Sequence, residues 1–92
     1  MSRPRILMWH GFEARDTAAD PHFVFVPPDA FARQLDHLVA RRSHFLDLDG
    51  YLAGLASGRW PARSVLVTID DGYVSTLTAA APLLAARGIP AV

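Results

Sequence analysis

The sequence predicts an α/β fold with parallel strands, and three observations carry that expectation. Apolar segments follow one another in the order strand, helix, helix, strand, helix, strand, which implies crossover connections and parallel pairing. The segment Ser64 to Ile69 is almost continuously apolar, as a strand covered on both faces needs to be. That strand then stops on two adjacent carboxylates and a glycine, Asp70-Asp71-Gly72, where a functional turn belongs in a parallel sheet.

Ile6-Leu7-Met8-Trp9 is long enough for a short buried strand and ends at His10-Gly11. Residues Phe12 to His22 mix charges, Ala, Thr and Pro21 without a period and read as a loop. Phe23-Val24-Phe25-Val26 is a second β-prone run, stopped by Pro27-Pro28. Proline is favoured in a first helical turn, and Phe31, Leu35, Leu38 and Val39 recur at i, i+4, i+7 and i+8, so a helix follows. Phe45-Leu46 makes a brief strand, after which Asp47 or Asp49 caps a shorter helix with Leu48, Tyr51, Leu52 and Leu55 as its apolar positions, ending at Ser57-Gly58. After the central strand, Leu77 to Arg87 reads as a helix in which Pro82 marks either the true first turn or a kink, with Gly88 as the residue past its end. Ile89-Pro90-Ala91-Val92 begins a further strand, so residues 1–92 read as the N-terminal portion of one larger domain. Its last strand would leave an unpaired apolar edge, through which copies of the chain could associate.

Composition removes several classes of function. The chain has 92 residues, 51% of them hydrophobic, which suits one small domain with a core and argues against disorder. Formal net charge is zero, so no nucleic-acid or membrane-surface partner is expected. All nine basic residues are arginine, and they are scattered along the chain rather than clustered. The absence of cysteine excludes disulfides, thiolate zinc sites and cysteine nucleophiles. The N-terminal apolar run is shorter than the roughly 7–15 residues of a signal peptide or the ~20 of a membrane span. With no such segment in the sequence, the default expectation for compartment is the cytoplasm.

Asp70 and Asp71 form the centre of the chemistry. Two adjacent anions repel and are disfavoured by burial unless a cation, a shared proton or strong donors offset them. Successive strand residues point to opposite faces, so the pair can take two separate roles, with a base beside a metal ligand as the obvious division. A turn with a helix cap would need only one of the two. His10, at the end of the first strand, either lines the same pocket or satisfies a backbone carbonyl. His22, His37 and His44 have no metal-ligand spacing, and His37 falls on the polar side of its helix. Trp9 and Trp60 read as packing residues; Tyr73, directly after the acidic pair, borders the site.

These residues carry a resemblance. Thr68-Ile69-Asp70-Asp71-Gly72 resembles the T-F-D-D-G signature of the polysaccharide deacetylases, carbohydrate esterase family 4 with its NodB-homology domain, and Ile69 is a conservative departure at the aromatic position. Met8-Trp9-His10-Gly11 is similar to the family's M-Y-H-G opening, and Pro28 to Leu35 to its P-x-x-F-x-x-Q-L helix. Leu83 to Ala91 is similar to its L-L-x-x-x-G-I-P-A stretch, so the likeness covers nearly the whole chain in order. The resemblance implies the N-terminal part of a distorted, incomplete (β/α) barrel. It implies that Asp70 is the catalytic base and that Asp71 binds a divalent metal, usually zinc. The substrate class it implies is an acetylated carbohydrate that loses an N-acetyl or O-acetyl group.

A bound metal would lower the pKa of a water and polarise the acetyl carbonyl, while the neighbouring carboxylate takes the water's proton. The family completes its metal site with two histidines from an H-[ST]-x-x-H motif, and no H-x-x-x-H pair occurs in this sequence. The isolated chain is therefore expected to be inactive. Two other readings stand beside this one: a degenerate binding or assembly module of the same fold, and a magnesium-dependent phosphoryl-transfer domain. The second fits poorly, since the phosphatase pattern wants Asp-x-Asp and Gly72 holds the third position.

Overall fold

The structure is a computed structural model that describes residues 3–12, 26–70, 74 and 76–92. Strand β1 spans Arg5–Trp9, helix α1 Pro28–Ala40, strand β2 His44–Leu46, helix α2 Leu48–Ser57 and strand β3 Ser64–Ile69. A π-helical turn, Thr76–Ala80, then runs into helix α3, Ala81–Ala86. The sheet order is β1-β3-β2, with β3 parallel to both neighbours. It is an open parallel sheet of an α/β fold, as the element order predicts, and it fits the partial barrel that the resemblance implies.

Register sorts the side chains between two faces. Arg5 pairs with Val65, Leu7 with Val67, Trp9 with Ile69 and Phe45 with Val65, so these share one face. That face carries the core, in which Trp9, Phe12, Val65 and Val67 pack against Phe31 and Leu35 of α1 and Ala80, Leu84 and Ile89 around α3. The expected helical face of α1 is correct for Phe31, Leu35 and Leu38. Val39 is the exception and stays exposed, because at ~100° per residue it lies about 80° around the helix from Phe31. On the opposite face Leu46 and Leu66 are buried, whereas Ile6 and Met8 of β1 are exposed.

The sequence marks of the helix ends are realised locally. Pro28 opens α1. Asp47, rather than Asp49, caps α2 by accepting from the Gly50 amide at 2.7 Å, and Gly58 closes that helix with φ 70°. The expected apolar face of α2 is not its seat, however. Leu48, Leu52 and Leu55 are exposed, and the buried residue of the helix is Gly54, which lies directly under the Trp60 ring. Tyr51 packs on the same ring at a centroid distance of 5.6 Å. Trp60 is thus a packing residue, as expected, and it clamps α2 from the connector side.

The third helix differs from the single run expected over Leu77 to Arg87. Its first part is wound as the π turn, and Pro82 sits in the first turn of α3, where its missing N–H costs nothing. Gly88, at φ 64°, then lets the Ile89 amide reach the Leu84 carbonyl at 3.0 Å and its own amide reach Ala85 at 3.2 Å, which closes the helix and buries Ile89. Arg87 donates Nε and Nη2 to the two carboxylate oxygens of Asp36, at 2.7 and 3.3 Å, tying the end of α3 to α1. This hydrogen bonding holds the Asp36 carboxyl below the usual carboxylate range and raises the Arg87 guanidinium above its own. Val92 donates to the Val67 carbonyl and accepts from the Ile69 amide, both at 2.9 Å, which ties the end of the segment to β3, but the strand expected over Ile89 to Val92 is not formed and the sheet keeps three strands. The strand expected over Phe23 to Val26 falls outside the described residues except for Val26, whose amide donates to the Gly11 carbonyl at 2.9 Å.

Candidate functional site

The C-terminal ends of β1 and β3 are held level by two bonds. The Thr68 hydroxyl donates to the Leu7 carbonyl at 2.9 Å, and the Asp70 amide donates to the Trp9 carbonyl at 2.9 Å. Trp9 pairs with Ile69 in the ladder, so the next residue on each strand, His10 and Asp70, stands at the neighbouring position, with adjacent strands about 4.8 Å apart. Asp70 is exposed and His10 half-buried. The structure therefore brings these two expected site residues to one strand-end ledge. Asp71, Gly72 and Tyr73, expected as metal ligand, turn residue and pocket border, lie outside the described residues.

The ledge rests on the family-like helix motif, and this gives that motif a physical meaning. Phe31 takes the edge of the Trp9 ring, with centroids 5.2 Å apart and planes at 72°, and packs against Phe12 at 4.4 Å. Gln34, one turn further on, accepts from the Trp9 indole N–H through Oε1 at 2.9 Å. Leu35 is fully buried below them. A buried indole N–H left without an acceptor would be costly, so Gln34 fixes the ring and with it the strand end that carries His10. His10 is thus flanked by two anchored residues, Trp9 before it and Gly11 after it. Sequence reading left Gln34 and Thr68 without roles of their own. The only signal for them was their place inside the motifs, because neither contact is local in the chain.

One carboxylate and one imidazole do not make a metal centre. Among the described residues no group of three or more His, Cys, Asp or Glu could hold a metal ion, and catalytic zinc normally takes three protein ligands. Two cavities, of about 340 and 440 Å³, lie along the α1–β1 side of the sheet, and Asp70 lines neither. The strand-end position of Asp70 is the stronger pointer to chemistry, since concavity alone identifies no reacting group. Among the described residues no helix is long and apolar enough to cross a membrane.

No protein-family model matches the chain, and no curated protein matches it. Solved structures do match. The chain superimposes on IcaB from Ammonifex degensii with a TM-score of 0.77 and 31% identity, covering 95% of this chain and 35% of that one. This is a polysaccharide deacetylase fold, in part. The deacetylase PplD of Streptococcus pyogenes, in a complex with acetate, is similar at a TM-score of 0.82 and 26% identity, covering 95% of this chain and 39% of that one. A de-N-acetylase from Aggregatibacter actinomycetemcomitans shares the fold at a TM-score of 0.79 and 17% identity, covering 98% and 36%. The chain thus spans between 35% and 39% of the length of these deacetylase structures. Within that span the deacetylase-like sheet sets Asp70 and His10 side by side at the end where parallel α/β sheets place their reacting groups.

Proposed function

We propose that this chain contributes the base-bearing part of a metal-dependent deacetylase that removes an N-acetyl or O-acetyl group from a carbohydrate. The observation that carries the reading is the position of Asp70. It stands exposed at the C-terminal end of the central strand, level with His10, in a fold similar to that of deacetylases. Further support comes from PplD, whose structure holds acetate, the product that loss of an acetyl group releases. In this reading the Asp70 carboxylate takes the proton of the water that attacks the acetyl carbonyl. His10 and Tyr73 border the sugar, and Asp71 is one ligand of a divalent metal, zinc by family resemblance. The sequence holds no H-x-x-x-H pair of the kind that completes the family's metal site, so the reading takes the histidine ligands from outside the 92 residues and expects the chain alone to be inactive.

The lack of an H-x-x-x-H pair in the sequence keeps a second reading beside it, a non-catalytic binding or assembly module of this fold. Acetate release from N-acetylglucosamine oligomers with added Zn²⁺ separates the two. The assay is run on the 92-residue chain and on the complete product of the gene that encodes it. Turnover is expected from the complete product and not from the chain alone, with Asp70→Asn lowering it at least ~100-fold. Turnover unchanged in Asp70→Asn would remove that residue from catalysis, and an inert complete product would favour the module.

A further inference from the structure

Nine arginines and no lysine are spread along the sequence, and four of them meet in space. Arg3, Arg5, Arg41 and Arg63 line a cavity of about 340 Å³ together with His37, over a partly apolar floor that includes Leu7. Three elements assemble it. Strand alternation puts Arg5 on the same face as Leu7, the face that α1 covers, and Arg3 precedes the strand at the same cavity. His37 and Arg41 stand one turn apart at the end of α1. Arg63 immediately precedes β3.

The four arginines and His37 are exposed around the cavity, where water screens their mutual repulsion, and a bound anion would offset what repulsion remains. Protein groups do not do so among the described residues. The ion pairs found there join Arg33 to Asp29 and Arg87 to Asp36, and none involves these four arginines. The C-terminal end of α1 carries partial negative charge. Yet its carbonyls at His37, Leu38 and Val39 already accept from the backbone amides of Arg41, Ser43 and Arg42. Arg63 spends its Nε on the Arg42 carbonyl at 3.3 Å, which leaves its terminal nitrogens for another partner. Arg42 and Arg63 both hold φ 58°, a left-handed conformation that side-chain-bearing residues rarely keep. The Arg63–Arg42 contact and the bond from the His44 amide to the Arg63 carbonyl, at 2.8 Å, hold that corner in place.

We propose that this cavity binds a compact, multiply charged oxyanion of the phosphate class. A guanidinium fork engages two oxygens of a phosphate at once, and several forks converging from three elements suit an anion with oxygens on every side better than a monocarboxylate. The cavity volume falls at the lower end of the range for small-ligand pockets, enough for phosphate or a small phosphorylated molecule. Arg63 and Asp70 flank opposite ends of β3, on the order of 20 Å apart at about 3.3 Å per residue, so the anion takes no part in chemistry at the strand-end ledge.

The test compares thermal unfolding of the full chain in sodium phosphate and in sodium chloride at equal ionic strength, with calorimetric titration of inorganic phosphate. A saturable rise in Tm with phosphate is expected, together with at least about tenfold weaker binding in the Arg5→Gln/Arg41→Gln double variant. Arg59→Gln, which removes an exposed charge outside the cavity, should bind as the parent does. Should the double variant fail to fold, Arg3→Gln, ahead of β1, takes its place and should also bind more weakly. Equal Tm in the two salts, or an equal loss in Arg59→Gln, overturns the proposal. Phosphatidylcholine vesicles containing phosphatidic acid separate a lipid headgroup from a free anion. A site for a free, compact anion predicts no vesicle binding, and vesicle binding that inorganic phosphate fails to displace would overturn the assignment.

Discussion

Helices α1 and α2 both present apolar side chains at helical spacing, and the fold treats the two rows in opposite ways. On α1, Phe31 and Leu35 are 0% exposed and close the core over Val65 and Val67. On α2, Leu48, Leu52 and Leu55 are 50%, 52% and 57% exposed, and the helix is held instead by the Asp47 cap, the Gly58 turn and the Trp60 ring over Gly54. Periodicity therefore identifies a helix and its apolar side, while burial is decided by whether a surface lies opposite. For α1 that surface is the sheet face set by the Leu7–Val67 register. For α2 the contact is made by its smallest residue, because an aromatic ring can approach the backbone only where no Cβ intervenes.

Four substitutions would break or sharpen this contrast, each read as the shift in the urea or thermal unfolding midpoint of the chain. Phe31→Ala should have the largest effect, about 3–5 kcal/mol, since it opens a cavity beneath both Trp9 and Phe12. Gly54→Ala should come next, at roughly 1–3 kcal/mol. Its added methyl runs into the Trp60 ring, which outweighs the usual helix gain of about 1 kcal/mol from replacing glycine. A stabilised Gly54→Ala would show that Trp60 does not clamp α2. Leu52→Gln and Leu55→Gln should each change stability by no more than about 0.5 kcal/mol. A loss as large as that of Phe31→Ala would mean that the α2 row is covered after all.

The two ends of the sheet were legible to different degrees. Asp70 announces itself because an apolar strand that stops on acidic residues is a local pattern. His10 could be placed at a strand end, but only the Trp9–Ile69 pairing shows that it stands beside Asp70. Gln34 had no role of its own in the sequence, because its bond to the Trp9 indole spans 25 residues. The arginine cavity is the clearest correction. Arg3, Arg5, Arg41 and Arg63 read as scattered because spacing along the chain says nothing of where a crossover returns, yet one helix end and two strand starts bring them together.

By itself the sequence determined what short-range physical chemistry controls. It specified the helix start at Pro28, a second start at Asp47 or Asp49, the stops at Gly58 and Gly88, and the buried central strand that ends at Asp70. Tertiary structure alone decided which apolar row became core, which tryptophan bonds to Gln34, how Asp70 meets His10 and where the arginines converge. The reason is physical. Caps, turns and periodicity depend on neighbours within a few residues, whereas burial and site geometry depend on strand register and crossover, which bring together residues as distant as Leu7 and Thr68.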